Sequence, residues 1–192
     1  GACWKLVTPQ LSAGPLGSKM KIKQEQLEQY DWETSDYIDK VKSKYASKVG
    51  LFLIQFSSLE YTLDVAILDS ISDRTHEIGY LILEGSSFIN KINLFRKLYH
   101  SFISCTKPNR LTTLAKFVKR LDEVRVFRNY ISHANWSTLD RTGYVRTKVV
   151  EKDGEIIFKK VRITPKVIEA WIRRVDRLDE QLYDFVESVN DI

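Results

Sequence analysis

Cysteine is scarce in this sequence, and its scarcity excludes a fold held together by internal disulfide bonds. The 192 residues contain only Cys3 and Cys105, and Cys3 lies in an N-terminal stretch without hydrophobic periodicity. Residues 14–18, Gly-Pro-Leu-Gly-Ser, resemble the scar left by a viral 3C-type protease, so we interpret residues 1–18 as an appendage from the expression vector. With one native thiol and no evident signal peptide, we expect a reducing, cytoplasmic location.

Long uninterrupted apolar runs are also missing. A helix needs about 20 predominantly apolar residues to span a bilayer, and the longest apolar stretch here is interrupted by Gln55 and the serines that follow it. We therefore expect no membrane association. The net charge of +5, from 30 Lys and Arg against 25 Asp and Glu, permits a polyanionic partner without requiring one.

The common motifs for metals and phosphate groups are absent as well. The sequence has no glycine-rich phosphate loop, no HExxH motif and no CxxC pair. A metal site would have to bring His76, His100 and His133 together from three remote positions, and no spacing of carboxylates supports one. The sequence therefore predicts neither a metal nor a cofactor.

Helical periodicity dominates what is present, over one domain at residues 19–192 whose length suits a single core. Residues 37–70 carry apolar side chains at helical spacing and form one long helix or two in tandem, with a possible break near Gly50. The short run 78–83 fits a strand or a helix, and the polar residues 19–31 fit a loop or a loose helical start. Three more amphipathic helices are predicted at 88–102, 111–127 and 165–189.

A β-hairpin is predicted before the last helix. Asp153-Gly154 is a strong two-residue turn signal between the strand-like runs 144–150 and 155–163. The fold class is therefore all-α, an up-and-down helical bundle with a hairpin inserted at about 144–163. The hairpin is basic, and these charges either protect exposed strand edges, which we favour, or grip a nucleic acid. The basic residues are Lys148, Lys152, Lys159, Lys160 and Arg162.

The stretch 125–136 concentrates polar functional groups at the end of the 111–127 helix. It reads Arg-Val-Phe-Arg-Asn-Tyr-Ile-Ser-His-Ala-Asn-Trp and contains Arg128, Asn129 and His133. Taken alone, an arginine and a histidine at this spacing are also explained by a solvated helix surface and a cation at a helix C-terminus. Trp136 fits a base-stacking residue or a buried residue at the helix end.

With its helical context, this stretch resembles the HEPN family (higher eukaryotes and prokaryotes nucleotide-binding). The family signature is an arginine, usually followed by a polar residue, and a histidine after four to six intervening residues. Four intervene between Arg128 and His133. The resemblance covers about residues 37–190 in helix order and includes the hairpin, a common family decoration.

The resemblance implies a metal-independent endoribonuclease, typical of microbial toxins and antiviral defence effectors, or a degenerate relative that binds nucleotide, RNA or protein without cleavage. A third possibility is a structural or regulatory domain of a larger assembly. RNA cleavage by the ribose 2′-OH needs proton transfer and a cation on the phosphate, which a histidine and an arginine can supply. Asn129 would orient the substrate or the imidazole.

The motif contains a single histidine, which predicts a homodimer, because the reaction uses both an acid and a base. HEPN nucleases likewise resemble one another in building composite sites at a dimer interface. Family toxins controlled by a nucleotidyltransferase antitoxin carry a tyrosine two places after the motif histidine, where Asn135 stands here. An antitoxin of that kind is therefore doubtful, although Tyr130 and Tyr144 remain as substitutes and another regulatory protein stays open.

Supporting residues are expected around this motif. Glu60 lies on an otherwise apolar helix and is either a buried partner of Arg128 or part of an exposed stripe. Ser132 is a second supporting candidate. The basic residues of the preceding helix either track an RNA backbone or form its solvated face; they are Lys116, Lys119, Arg120 and Arg125.

Overall fold

The computed structural model describes residues 22–26, 35–71 and 77–190, which form five α-helices and three β-strands. Residues 1–18, which we interpret as an appendage, and His76 lie outside the described residues. The mostly helical fold and the hairpin before the last helix are confirmed. The elements are β1 (Ile22–Gln26), α1 (Ser35–Ile71), α2 (Glu77–Leu83), α3 (Phe88–Thr106), α4 (Leu111–His133), β2 (Tyr144–Lys152), β3 (Glu155–Arg162) and α5 (Pro165–Asn190).

The four long helices pack as a bundle in which α4 runs opposite to the other three. Contacts such as Lys48 with Glu169 and Ser58 with Asp179 hold α5 parallel to α1. The chain returns from the end of α1 through α2, so that α3 also runs parallel to α1. Helix α4 then comes back along both α3 and α5, which places its C-terminal end beside the N-terminal half of α1.

Helix α1 is a single helix, and the possible break near Gly50 does not occur. Phe52, Leu59 and Leu63 are fully buried on its inner face, so packing on the bundle keeps the helix continuous through Gly50.

Residues Asp39–Ile71 are long and apolar enough to span a membrane, which corrects our expectation that no apolar stretch has that length. In the most apolar window of this helix, 39% is buried. A core helix of a soluble protein has the same composition.

The ambiguous run at 78–83 is part of helix α2. Gly79 faces α1 at close range, because a Cβ atom there would lie 2.3 Å from Cδ2 of Leu68. Leu83 is buried, whereas most of the other apolar side chains of this short helix face outward. Those exposed side chains are Ile78, Tyr80, Leu81 and Ile82.

The hairpin belongs to a three-stranded antiparallel sheet with the order β1-β3-β2. Its turn has positive φ at both Asp153 (54°) and Gly154 (79°), as the Asp-Gly signal predicts. The interpretation of residues 19–31 as a loop or helical start is wrong for β1, which pairs Ile22 with Val161. The segment Ile-Lys-Gln-Glu-Gln has a single apolar residue, so it forms a strand by backbone pairing and leaves no alternating pattern.

The strand order also corrects the favoured explanation of the basic hairpin. Lys159, Lys160 and Arg162 lie on β3, the central strand, where no edge is open for them to protect. Lys160 is buried, with 3% of its surface exposed, and the Arg162 side chain donates a hydrogen bond to the Thr142 carbonyl oxygen at 2.9 Å. Edge protection remains an explanation for the basic residues of β2 alone.

Candidate functional site

The motif occupies the last turn and a half of α4, and the chain just after it is fixed to the rest of the fold. The Asn135 backbone N–H donates to the Arg146 carbonyl oxygen on β2 at 2.8 Å. The indole N–H of Trp136 donates to the Ile131 carbonyl oxygen at 3.2 Å, and its ring lies 5.6 Å from the Tyr45 ring. Trp136 therefore packs the end of α4 against α1. Of the two roles considered for it, this arrangement favours the structural one over base stacking.

Arg128 lies on the side of α4 that faces α1 and the start of α3. Its guanidinium carbon is 5.6 Å from the centroid of the Phe56 ring, and Phe56 in turn contacts Phe88 with ring centroids 4.8 Å apart. Nη1 of Arg128 donates to Oδ1 of Asn129 at a long 3.4 Å. No acid pairs with Arg128 in the described part of the chain, so its fork is oriented by an aromatic face and keeps most of its N–H donors for an anion.

His133 is the last residue of α4 and is exposed, as is the neighbouring Ser132. Asn129 lies four residues earlier, one helical turn away on the same face. Within residues 35–71 and 77–190 the imidazole of His133 makes no hydrogen bond. Five positions along a helix separate the directions of Arg128 and His133 by about 140° and their positions by about 7.5 Å, so a single chain presents them on different sides of α4.

Glu60 does not pair with Arg128, and this expectation is wrong. Its carboxylate accepts a hydrogen bond from the Lys91 ammonium at 2.9 Å, and the same ammonium donates to Asp64 at 2.7 Å. Glu60 and Asp64 are one turn apart on α1, and Lys91 reaches both because α3 runs parallel to α1. The long side chain of Lys91 is 10% exposed, so the three residues form a closed ion cluster between the two helices.

Burial governs the protonation of this ion cluster. It raises the pKa of the Asp64 carboxyl above its ordinary value, and the bonds from Lys91 only partly oppose that rise. Burial alone would lower the pKa of Lys91, but its bonds with Asp64 and Glu60 raise it overall. Oδ1 of Asp64 is buried without a hydrogen-bond partner. The sequence contained one signal for the cluster, since Lys91 lies between Phe88 and Ile92 on the apolar side of α3.

Three of the four basic residues of α4, Lys116, Lys119 and Arg120, share one side of the helix at i, i+3 and i+4 spacing, whereas Arg125 lies on the opposite side. Lys116 and Lys119 are exposed. Arg120 turns toward α5 and donates to Oε1 of Gln181 at 2.8 Å. Arg125 pairs with Asp122 on its own helix at 2.7 Å. The solvated-face explanation therefore fits Lys116 and Lys119, whereas Arg120 belongs to the contact between α4 and α5.

Two arginines that sequence analysis did not select lie across from Arg120 on α5. Arg174 forms an ion pair with Glu123, and its guanidinium carbon lies 4.6 Å from the centroid of the Trp171 ring. Arg177 follows one turn later and is exposed. Burial, and then the charge of Arg177, lowers the pKa of Arg120. Only the pairing of the helices could identify this group, because residues near 120 and 175 are remote in sequence.

Among the described residues, no group of three or more His, Cys, Asp and Glu side chains is arranged to hold a metal ion.

No family model, curated protein or solved structure matches the chain. What the protein does must therefore be inferred from its own side chains.

Proposed function

We propose that this chain is a metal-independent endoribonuclease of the HEPN type that acts as a homodimer. The observation that carries the proposal is the presence of two chemically different groups, a guanidinium and an imidazole, within the last turns of α4. The Arg128 guanidinium is held on the Phe56 ring and pairs with no acid of residues 35–71 and 77–190, and the His133 imidazole is exposed. The helical bundle with a hairpin before its last helix supports the same assignment.

The reaction follows from the chemistry of these groups. The ribose 2′-oxygen attacks the adjacent phosphorus, and the bond from phosphorus to the leaving 5′-oxygen breaks. One imidazole takes the 2′-hydroxyl proton, and a protonated imidazole gives a proton to the 5′-oxygen. Arg128 stabilises the negative charge on the non-bridging phosphate oxygens, and Asn129 orients the substrate beside His133. The products are a 2′,3′-cyclic phosphate and a free 5′-hydroxyl.

A second copy of the chain supplies the second imidazole. One chain provides a single motif histidine, and its direction on α4 diverges from that of Arg128 by about 140°. Four of the seven residues of α2 are large apolar side chains that face solvent, a pattern typical of an interaction surface. The chain continues from α2 to Phe88, whose ring contacts the Phe56 ring on which Arg128 rests. Helix α2 is therefore the surface through which we propose the two-fold interface.

The test is RNA cleavage in excess EDTA by the wild-type protein and by Arg128→Ala and His133→Ala. We expect the wild type to leave 2′,3′-cyclic phosphate ends, and we expect each variant to lose about 100-fold to 10,000-fold in rate. His100→Ala is the matched control, because His100 is an exposed histidine of α3 and should not contribute. Full activity in His133→Ala would remove this residue from the mechanism.

A non-catalytic module that binds nucleotide, RNA or protein is the second candidate. It is favoured by the lack of a hydrogen bond to His133 in the described residues and by the long 3.4 Å contact between Arg128 and Asn129. Under this alternative, the wild type binds RNA but leaves it intact, and Arg128→Ala weakens binding. Dimerisation would then serve a binding surface rather than a composite active site.

We place the nuclease in the cytoplasm as a toxin or antiviral effector whose activity a regulatory protein restrains. His133 is exposed and is covered by no other segment of the described residues, which favours restraint by a separate protein. Expression of the wild-type protein in bacteria is then expected to arrest growth, and His133→Ala is expected to be tolerated at the same protein level. Equal growth with both proteins would contradict the toxin role.

A further inference from the structure

The contact between α4 and α5 brings three arginines close together. Arg120 reaches Gln181 on α5, and Arg174 reaches Glu123 on α4. Arg177 lies on α5 between Arg174 and Gln181, one turn from each, and is exposed. We call Arg120, Arg174 and Arg177 the arginine patch. Glu123 is the carboxylate that pairs with the patch, whereas Asp176 and Glu180, which flank Arg177 on α5, form no ion pair with it among the described residues.

Two of these guanidinium groups are supported by aromatic rings. The guanidinium carbon of Arg174 lies 4.6 Å from the Trp171 ring centroid, and that of Arg120 lies 5.7 Å from the Phe117 ring centroid. Such stacking fixes the plane of a guanidinium and limits the rotamer freedom that is lost on binding. The planar donors are therefore pre-organised for an oxyanion, for which the guanidinium fork is well suited.

The arginines of the patch lie close enough to one another for their like charges to interact. Burial is the main reason that the pKa of Arg120 and that of Arg174 are lowered, and a neighbouring arginine lowers each further. Like charges held this close are destabilising unless an anion joins them. A bound polyanion would relieve the repulsion. In the described residues Arg177 forms no ion pair.

We propose that the arginine patch binds the phosphate backbone of single-stranded RNA and leads the strand along α4 to His133. This rests on the proposed function for the identity of the polyanion. Arg120 and His133 are separated by about 20 Å along α4, which lies within the span of a single-strand site of about 4–16 nucleotides. Tyr130 lies two turns after Glu123 on the same side of α4 and offers a ring for base stacking.

The experiment measures binding of a fluorescein-labelled 2′-O-methyl oligouridylate of about a dozen nucleotides to the full chain. This probe lacks the 2′-hydroxyl, so it cannot be cleaved and reports binding even if the protein is not a nuclease. Arg177→Gln is the test variant, because its exposed side chain can be changed without disturbing the ion pair of Arg174. Arg96→Gln removes the same charge from the exposed face of α3 and is the matched control.

We expect Arg177→Gln to weaken binding about fivefold at 0.1 M salt and to reduce the slope of log affinity against log salt by about 0.7, the effect of one phosphate contact on a single strand. Arg96→Gln should change neither. Equal affinity of Arg177→Gln and wild type, or no binding by the wild type, would overturn the proposal. So would an affinity for polyglutamate that depends on Arg177 while RNA binding does not, since that result indicates an acidic protein.

Cleavage measured with the same proteins separates this proposal from the proposed function. If the wild type binds the probe through Arg177 but cleaves no RNA, the arginine patch stands and the nuclease does not. If motif-dependent cleavage is present and Arg177→Gln binds and cleaves like the wild type, the nuclease stands and the patch is refuted.

Discussion

The ion cluster of Glu60, Asp64 and Lys91 and the motif at the end of α4 are two polar regions of the same bundle with opposite properties. In the cluster, one ammonium bonds two carboxylates at 2.9 and 2.7 Å and is almost completely buried. In the motif, Arg128 rests on an aromatic ring and His133 is exposed without a hydrogen bond among the described residues. In the ion cluster the charged groups bond one another, whereas the motif leaves its polar groups accessible to a ligand.

This difference indicates which charges maintain the fold and which are free for a ligand. A buried charge has to be paired, and the loss of its partner leaves a charge without solvation. A half-buried arginine on a ring or an exposed histidine contributes little to the free energy of unfolding, because water solvates it in both states. We therefore expect substitutions in the cluster to change stability and substitutions in the motif to change activity.

The largest expected effect on stability is that of Lys91→Met. Removal of the ammonium leaves Glu60 and Asp64 side by side in a partly buried site, and loss of one partner of a buried pair typically lowers the free energy of unfolding by about 3–5 kcal/mol. Arg128→Met should lower it by only about 1 kcal/mol, the order of a single cation–π contact. Urea denaturation of both variants measures the difference.

Lys97→Met provides the control for this comparison, since Lys97 is exposed on the same helix as Lys91. It should unfold at the same urea concentration as the wild type. If Arg128→Met were as destabilising as Lys91→Met, the motif would be a structural element and the division between the two regions would fail.

A smaller effect is expected for the dimer that we place next to the motif. Leu81 on α2 has 72% of its surface exposed, and Leu81→Glu would bring two new carboxylates to a two-fold interface. We expect the dissociation constant of the dimer to rise by at least about tenfold, as for loss of a central interface residue. Cleavage at low protein concentration should fall with it.

Sedimentation velocity at several protein concentrations measures this change, with Tyr183→Glu as the matched control on α5, where Tyr183 is 60% exposed. An unchanged dimer in Leu81→Glu would remove α2 from the interface. A wild-type protein that remains monomeric at micromolar concentration would contradict the composite site itself.

Much of the fold could be predicted from local sequence, because its signals are local. Helical spacing identified the long helices, and Asp153-Gly154 identified the hairpin turn and its positive φ angles. Strand β1 could not be predicted, since its five residues contain one apolar side chain and its partner strand is far along the chain. The basic residues of β3 were misinterpreted for the same reason, because β1 turns their strand into the centre of the sheet.

The candidate site was predictable only where it lies on one helix. The positions of Arg128, Asn129 and His133 at the end of α4 follow from the apolar pattern before them. The expectation that Glu60 pairs with Arg128 was wrong, because its actual partner Lys91 comes close only when α3 packs on α1. Arg174 and Arg177 were missed, since a charge pattern that spans two helices appears only after the helices are paired.

The smallest expected effect concerns Asp64, and it sharpens the description of the ion cluster. Burial raises the pKa of this carboxyl above its ordinary value of 3.8, with Lys91 opposing the rise and Glu60 adding to it. A group whose pKa is higher in the folded protein stabilises the fold when it is protonated. That contribution is complete below the unfolded value and is lost as the pH rises through the folded value. The wild type should therefore gain stability relative to Asp64→Asn as the pH falls from neutral toward about 4.

Urea denaturation of both proteins across this range measures the difference. Asp176→Asn, at an exposed position of α5, is the control and should not show it. If the wild type instead loses stability relative to Asp64→Asn on acidification, the bonds from Lys91 stabilise the ionised carboxylate of Asp64 by more than burial destabilises it.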